Sequence, residues 1–251
     1  MADMGYIFDF NTARAFDQWI QSPKIQRIVT LENRLMLQML NPSRGKTLLE
    51  VGCGSGVGLL PFIEKGVLVT GMDPSPYMLD IARARVGQRA DLHRGAGEDL
   101  PFEDNSFHYV CINTTLEFVE NPHAVLAEAC RVAKHKVYVG ILNRYALGGH
   151  RRRIRRLFKE KPSAPLNHFG VGDIKRILHQ LLGTVPVYAR HTCHFPVPWT
   201  GVTRWMEQYP LMQLCPFGAY AGIIALLIPR FKTTPISLEY RSNTAAGVVP
   251  G

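Results

Sequence analysis

Between residues 47 and 142 the chain alternates two hydrophobic rhythms. Residues 47–51, 67–72, 90–94, 107–113 and 136–142 are short runs; all but the third are markedly apolar, and their length and composition are those of strands buried on both faces. Helical signals fall between them. One helix is expected near residues 59–65. Another is capped by Ser75, with Pro76 at its first position, and runs to about Val86. Asn121-Pro122 repeats the cap-plus-proline signal and opens a helix to about Val132. Strand and helix alternating with short loops predict a parallel sheet covered on both faces, with right-handed crossovers.

The flanks differ. Ile28, Leu31, Leu35 and Met39 lie at helical spacing within residues 24–40. Ser22-Pro23 separates this helix from an earlier one, and Asn41-Pro42-Ser43 ends it. Beyond Asn143 the rhythm weakens. The pattern predicts a basic helix over 150–159, a loop at 161–165, a helix at 174–182, a strand within 184–195, a loop at 196–199 and a last strand within 219–228 that closes the sheet. The expected organisation is an N-terminal helical segment over the site (1–44), an α/β core (45–143), a C-terminal part of the same domain (144–243) and a disordered tail (244–251). The fold class is a three-layer α/β sandwich whose sheet is mostly parallel, with an antiparallel strand at one edge.

Composition narrows this picture. A chain of 251 residues suits one well-packed domain. The longest nearly uncharged apolar stretch, 217–229, is shorter than the ~20 residues a membrane helix needs, and no secretory signal opens the chain. Five cysteines with no C-x-x-C point to reduced thiols and a cytoplasmic setting. His191-Thr192-Cys193-His194 looks like a ligand cluster, but on a strand His191 and Cys193 share one face and His194 the other, so no metal site is expected. The net charge of +9 is uneven: residues 134–176 hold twelve Lys/Arg against two Asp/Glu. The basic segment 150–161 is either a solvated helix face or a contact for an anionic substrate, a membrane surface or RNA.

The chemistry concentrates at Glu50-Val51-Gly52-Cys53-Gly54-Ser55-Gly56, at the carboxyl end of the first strand, where ligands of open parallel sheets bind. Glycines there let the backbone turn tightly and a ligand approach closely. The dinucleotide spacing G-x-G-x-x-G fails in both registers, since Val57 and Leu59 occupy the third glycine positions. The spacing is acid-x-G-x-G-x-G. A carboxylate entering the turn repels a pyrophosphate but suits a cationic ligand. Asp73, ending the second strand, is placed to accept hydrogen bonds from both hydroxyls of a ribose.

These residues resemble the class I S-adenosylmethionine (SAM)-dependent methyltransferases, within the large family that includes the quinone-biosynthesis C-methyltransferases. The resemblance spans about residues 45–143. It rests on Leu49 to Gly56, on Gly71-Met72-Asp73-Pro74-Ser75, on Gly97-Glu98-Asp99-Leu100-Pro101-Phe102 and on Asp104-Asn105-Ser106-Phe107. It implies a Rossmann-like fold and a SAM site. In that site Gly52, Gly54 and Gly56 flank the methionine part, with Ser55 close by and Glu50 favouring its positive charge. Asp73 takes the ribose, with Pro74 and Ser75 beside the adenine. Ala96 and Gly97 hold the adenine edge next to Glu98, and Asn113 sits beside the reactive side. Ala133-Lys134-His135-Lys136 replaces the Pro-Gly-Gly turn of many relatives. Asn113-Thr114-Thr115-Leu116 is not the Asn/Asp-Pro-Pro-aromatic motif of amino-group methyltransferases.

Methyl transfer from a sulfonium asks mainly for alignment and exclusion of water. A base is needed only where the acceptor must lose a proton early, and Glu117, His150 and His168 are the candidates. Phe16, Trp19 and Tyr145 are candidate walls of the acceptor pocket. The expected function is methylation of a small molecule that is anionic, aromatic or lipid-like. The alternatives are RNA methylation, which the basic segment favours, and SAM-responsive binding without catalysis.

Overall fold

The computed structural model describes residues 5–146, 167–195, 206, 207 and 209–227. The expected basic helix, His150, the loops at 161–165 and 196–199 and the tail from 244 lie outside the described residues.

Helix α1 (Phe10–Ile20) starts where the Asp9 carboxylate accepts from Thr12 N. Helix α2 (Pro23–Leu40) begins on the proline after Ser22 and ends at Asn41, in the left-handed region at φ 42°. The core then alternates as the pattern predicts: β1 (Thr47–Val51), α3 (Leu60–Glu64), β2 (Leu68–Asp73), α4 (Pro76–Val86), β3 (Ala90–Arg94), β4 (Phe107–Asn113), α5 (Pro122–Val132) and β5 (Ala133–Leu142). Both predicted proline caps form. Ser75 Oγ accepts from Met78 N, and Asn121 Oδ1 accepts from Ala124 N. Helix α6 (Val171–Leu182) and strands β6 (Val187–Thr192) and β7 (Tyr220–Leu226) complete the order.

The seven strands form one sheet in the order β3-β2-β1-β4-β5-β7-β6. The first five are parallel. Strand β7 runs antiparallel to both β5 and β6, so the antiparallel strand is inserted one place in from the edge. Chain order reverses between β1 and β4, which opens a crevice at the carboxyl ends of those two strands.

Successive strand residues feed opposite faces. Leu49, Val110, Ile112, Val137 and Val139 pack under Val125, Leu126, Ala129 and Ile174 of α5 and α6. Leu48, Tyr109, Cys111 and Tyr138 pack against Met36 and Leu40 of α2, Phe62 of α3 and Leu79 of α4. Two apolar faces explain why the parallel strands read as continuous hydrophobic runs. A third cluster joins α1 and α2 through Ile20, Ile25, Ile28 and Leu35 to Cys193, Ala219 and Tyr220. It seats the N-terminal helices over the β6–β7 side of the sheet.

The β5–β7 pair carries one close fit. Gly140 and Gly222 are register partners. The hydroxyl of Tyr220 occupies the space a Cβ at Gly140 would need, and a Cβ at Gly222 would lie 2.5 Å from the Tyr138 hydroxyl. Two phenols from diagonal positions therefore meet over a glycine pair, both fully buried. Gly140→Ala is expected to cost about 1–3 kcal/mol through overpacking, read as a lower denaturation midpoint in urea with an unchanged slope.

Candidate active site

The glycine turn after β1 is built by backbone geometry. Gly52, Gly54 and Gly56 sit at φ of 70°, 51° and 77°, which L side chains rarely adopt. The amides of Gly52 and Cys53 both donate to Met72 O, at 2.7 and 3.0 Å, and so fasten the turn to the end of β2. A Cβ at Gly52 would run into the Thr115 side chain, whose hydroxyl donates to Val51 O. At Gly54 the corresponding space is open.

Asp73 joins two loops. Its Oδ2 accepts from Gly54 N and its Oδ1 from Ser75 N, both at 2.9 Å. Each oxygen keeps acceptor capacity for a further donor. Burial raises the carboxyl above its usual range, and the two amides oppose that shift. Ser75 is fully buried, and besides capping α4 its hydroxyl donates to Phe8 O at 2.6 Å. That bond and Tyr6 N to Phe118 O, at 2.8 Å, draw residues 5–9 across the sheet edge.

One cavity opens there, with a volume of about 190 Å³. Gly52, Gly54, Asp73, Pro74, Ala96, Gly97, Glu98 and Asn113 line one side. The other side is mostly apolar: Phe8, Phe16, Trp19, Ile20, Ile25, Ile28 and Val29 come from the N-terminal segment, α1 and α2, with Glu32 of α2 beside them. Phe8 stacks edge-on to Phe16 and Phe118, with ring centroids 5.5 and 5.6 Å apart, and Phe16 continues to Trp19. The carboxylates among the lining residues are Glu32, Asp73 and Glu98, and no Lys or Arg lines the cavity among the described residues. Glu98 Oε1 is buried without a hydrogen-bond partner.

Four of the expected cofactor residues do not line the cavity. Ser55 and Gly56 form the back of the turn, and Ser75 is spent on the cap and on Phe8. Glu50 lies beneath the turn, with its carboxyl in the space a Cβ at Gly58 would fill and its Oε2 without a partner. Burial, then the nearby Asp73 charge, pushes Glu50 up to about 8. Neither described candidate base reaches the cavity wall. Glu117 is buried behind it, its Oε1 accepting from Leu142 N at 2.8 Å, and burial pushes it up to about 7. His168 is exposed, ahead of α6. Phe16 and Trp19 line the cavity as expected. Tyr145 does not; its exposed ring lies 5.0 Å from the Arg144 guanidinium. His194 engages Glu207 at 3.3 Å and Cys215 O at 3.1 Å. Among the described residues no group of three His, Cys, Asp or Glu side chains is arranged to hold a metal.

Several site residues were not visible in the sequence. The strap of Tyr6 and Phe8 reaches its place through Ser75, 67 positions away from Phe8. Arg85 of α4 donates to Ser55 O and pairs with Asp17 of α1 at 2.5 Å, tying the helix above the cavity to the glycine turn. No local pattern marks contacts at such separations.

Residues 49–141 match the family model described as a methyltransferase domain. A Methanocaldococcus jannaschii protein named only as uncharacterized is 37% identical over 140 residues, covering 55% of this chain and 62% of that protein. The demethylmenaquinone methyltransferase of Tropheryma whipplei is 37% identical over 102 residues, covering 40% of this chain and 43% of the enzyme. The chain thus spans less than two thirds of the length of these relatives. In three dimensions it superposes on a SAM-dependent methyltransferase of Thermotoga maritima with a TM-score of 0.66, at 21% identity, covering 87% of this chain and 99% of the other. Taken with the sheet order and the turn geometry, residues 49–141 are similar to a methyltransferase domain, and the chain has the Rossmann-like fold of the SAM-dependent methyltransferases.

Proposed function

We propose that this protein is a SAM-dependent methyltransferase whose acceptor is a small, largely apolar molecule held between the sheet edge and the α1–α2 roof. The observation that supports this is one cavity with two chemistries. A glycine turn with Asp73 and Glu98 lines one side, and mostly aromatic and aliphatic side chains, with Glu32, the other. The residues fit the cofactor. Open space at Gly54 lets a ligand approach the backbone, Asp73 offers both oxygens to a ribose diol, and Glu98 Oε1 is a buried acceptor in want of a donor. When bound, SAM supplies an electrophilic methyl on a sulfonium sulfur. The chain's own part is to align the acceptor and keep water out, and Phe8, Phe16, Trp19 and Phe118 supply the apolar wall for that.

The wall also selects. With three carboxylates and no described cation around the cavity, the reacting end of the acceptor is neutral or cationic. The same wall disfavours RNA, whose phosphates demand Lys and Arg. Neither Glu117 nor His168 lines the cavity, so transfer does not rely on either as a base in contact with the acceptor. Among the described residues no helix is long and apolar enough to cross a membrane. The five cysteines form no disulfide with one another, which supports a reducing, cytoplasmic setting.

Calorimetric titration with S-adenosylhomocysteine tests the cofactor, with one-to-one binding expected. Transfer of radiolabel from methyl-labelled SAM into fractionated cell extract tests the acceptor. Label in the organic-soluble fraction is expected. Label in RNA, or tight cofactor binding with no transfer to any fraction, overturns the acceptor reading. Asp73→Ala is expected to weaken S-adenosylhomocysteine at least about tenfold, since it removes charge-assisted hydrogen bonds.

Glu50 generates a pH effect. Its carboxyl binds a proton more tightly folded, at about 8, than at its ordinary 4.5. The folded state therefore holds the extra proton between those values, and stability falls as pH rises through that window. Glu50→Gln is expected to flatten the decline between pH 5 and 8, read as a melting temperature raised by roughly a few degrees at pH 8 and little changed at pH 5.

A further inference from the structure

Asn113 ends β4 and lines the cavity at the division between its two sides. Its amide is held by an unusual chain. Tyr220 Oη is 2.7 Å from Asn113 Oδ1, and Tyr138 Oη is 2.9 Å from Tyr220 Oη. Both phenols are fully buried, and burial holds each well above the usual phenol range, so both keep their protons. The glycine pair Gly140–Gly222 makes the room in which they meet.

The proton count sets the direction of this chain. Two phenols carry two protons, and the structure offers two bonds. If Tyr138 donates to Tyr220 and Tyr220 donates to Asn113, both protons are used. In the reverse sense the Tyr138 proton would be buried with no acceptor, at a cost comparable to a lost hydrogen bond. Asn113 is therefore fixed with its oxygen toward Tyr220. Its Nδ2 donates to no described group, on a residue that lines the cavity.

Resting on the methyltransferase reading above, we propose that Asn113 Nδ2 is a specificity donor for the methyl acceptor. The acceptor class this selects is an apolar molecule presenting a hydrogen-bond-accepting oxygen, a carbonyl or an ether-like or hydroxyl oxygen, near the reacting atom. Tyr138 and Tyr220 are positioning residues that prevent the amide from flipping. An amide free to rotate would present oxygen as readily as nitrogen and lose the selection.

The test uses two probes of the same size, α-tetralone and tetralin, which differ by one carbonyl oxygen. Their dissociation constants are measured on the full chain saturated with S-adenosylhomocysteine. The expected preference for the ketone is about fivefold, the worth of one neutral hydrogen bond. It falls to below twofold in Asn113→Ala and in Tyr220→Phe, and to an intermediate value in Tyr138→Phe, where the Tyr220 hydroxyl is released. The ratio cancels general losses of affinity, so a merely structural role for the tyrosines would leave it unchanged. Equal binding of both probes to the wild type, failure of both to bind, or an undiminished preference in Tyr220→Phe overturns the proposal. If S-adenosylhomocysteine binds and the probes do not discriminate, the donor role alone fails. If S-adenosylhomocysteine does not bind the folded protein, the cofactor reading fails first.

Discussion

Everything on the working edge of this sheet is referred to the carboxylate of Asp73. One of its oxygens takes the amide of Gly54 and the other the amide of Ser75, so a single side chain sets the spacing of the loops that follow β1 and β2. Parallel strands leave their connecting loops without a shared backbone ladder beyond the last pair, and a buried acceptor that bridges two amides supplies the missing bond. Its partner Ser75 extends the same tie outward. The Ser75 hydroxyl caps α4 and takes hold of Phe8, which brings the N-terminal strap over the crevice. One acid thus connects the glycine turn, the second loop and the cover of the cavity.

The acids around this edge divide by burial. Asp73 faces the cavity with its charge supported by amides. Glu50 sits under the turn with an oxygen unpartnered, raised to about 8 by the absence of water and by Asp73 itself. A carboxyl raised this far holds its proton at neutral pH, so the negative charge at this edge rests on Asp73. The Asp73 carboxylate lines the cavity, and a negative group there opposes a pyrophosphate.

The apolar side of the cavity depends on packing that joins distant parts of the chain. Helix α1 is anchored by the Asp17–Arg85 pair, whose guanidinium also holds the carbonyl of Ser55 in the glycine turn. Its side chains are only partly exposed, so this pair is better shielded from salt than a surface bridge. The β5–β7 pairing adds the tyrosine chain that orients Asn113 from behind. Roof, turn and back wall therefore reach the cavity from three separate stretches of sequence.

The alternation of apolar runs and capped helices determined the core by itself. Ser75-Pro76 and Asn121-Pro122 cap as local chemistry requires, and β3, β4 and α4 fall on the residues the pattern marks, because caps, strand faces and turn glycines act over a few positions. The acid-x-G-x-G-x-G spacing and Asp73 were legible for the same reason. What only the tertiary structure decided is which of these groups faces the ligand. Glu50, Ser55, Gly56 and Ser75 belong to the motif yet do not line the cavity, and Glu117 is buried with its carboxyl on Leu142 N instead of lining it. The pairing of β7 with β5, the strap of Phe8 and the Tyr138–Tyr220–Asn113 chain join residues 67 to 107 positions apart. Hydrogen bonds of that range depend on how the sheet orders and pairs its strands, and no short window of sequence carries that information.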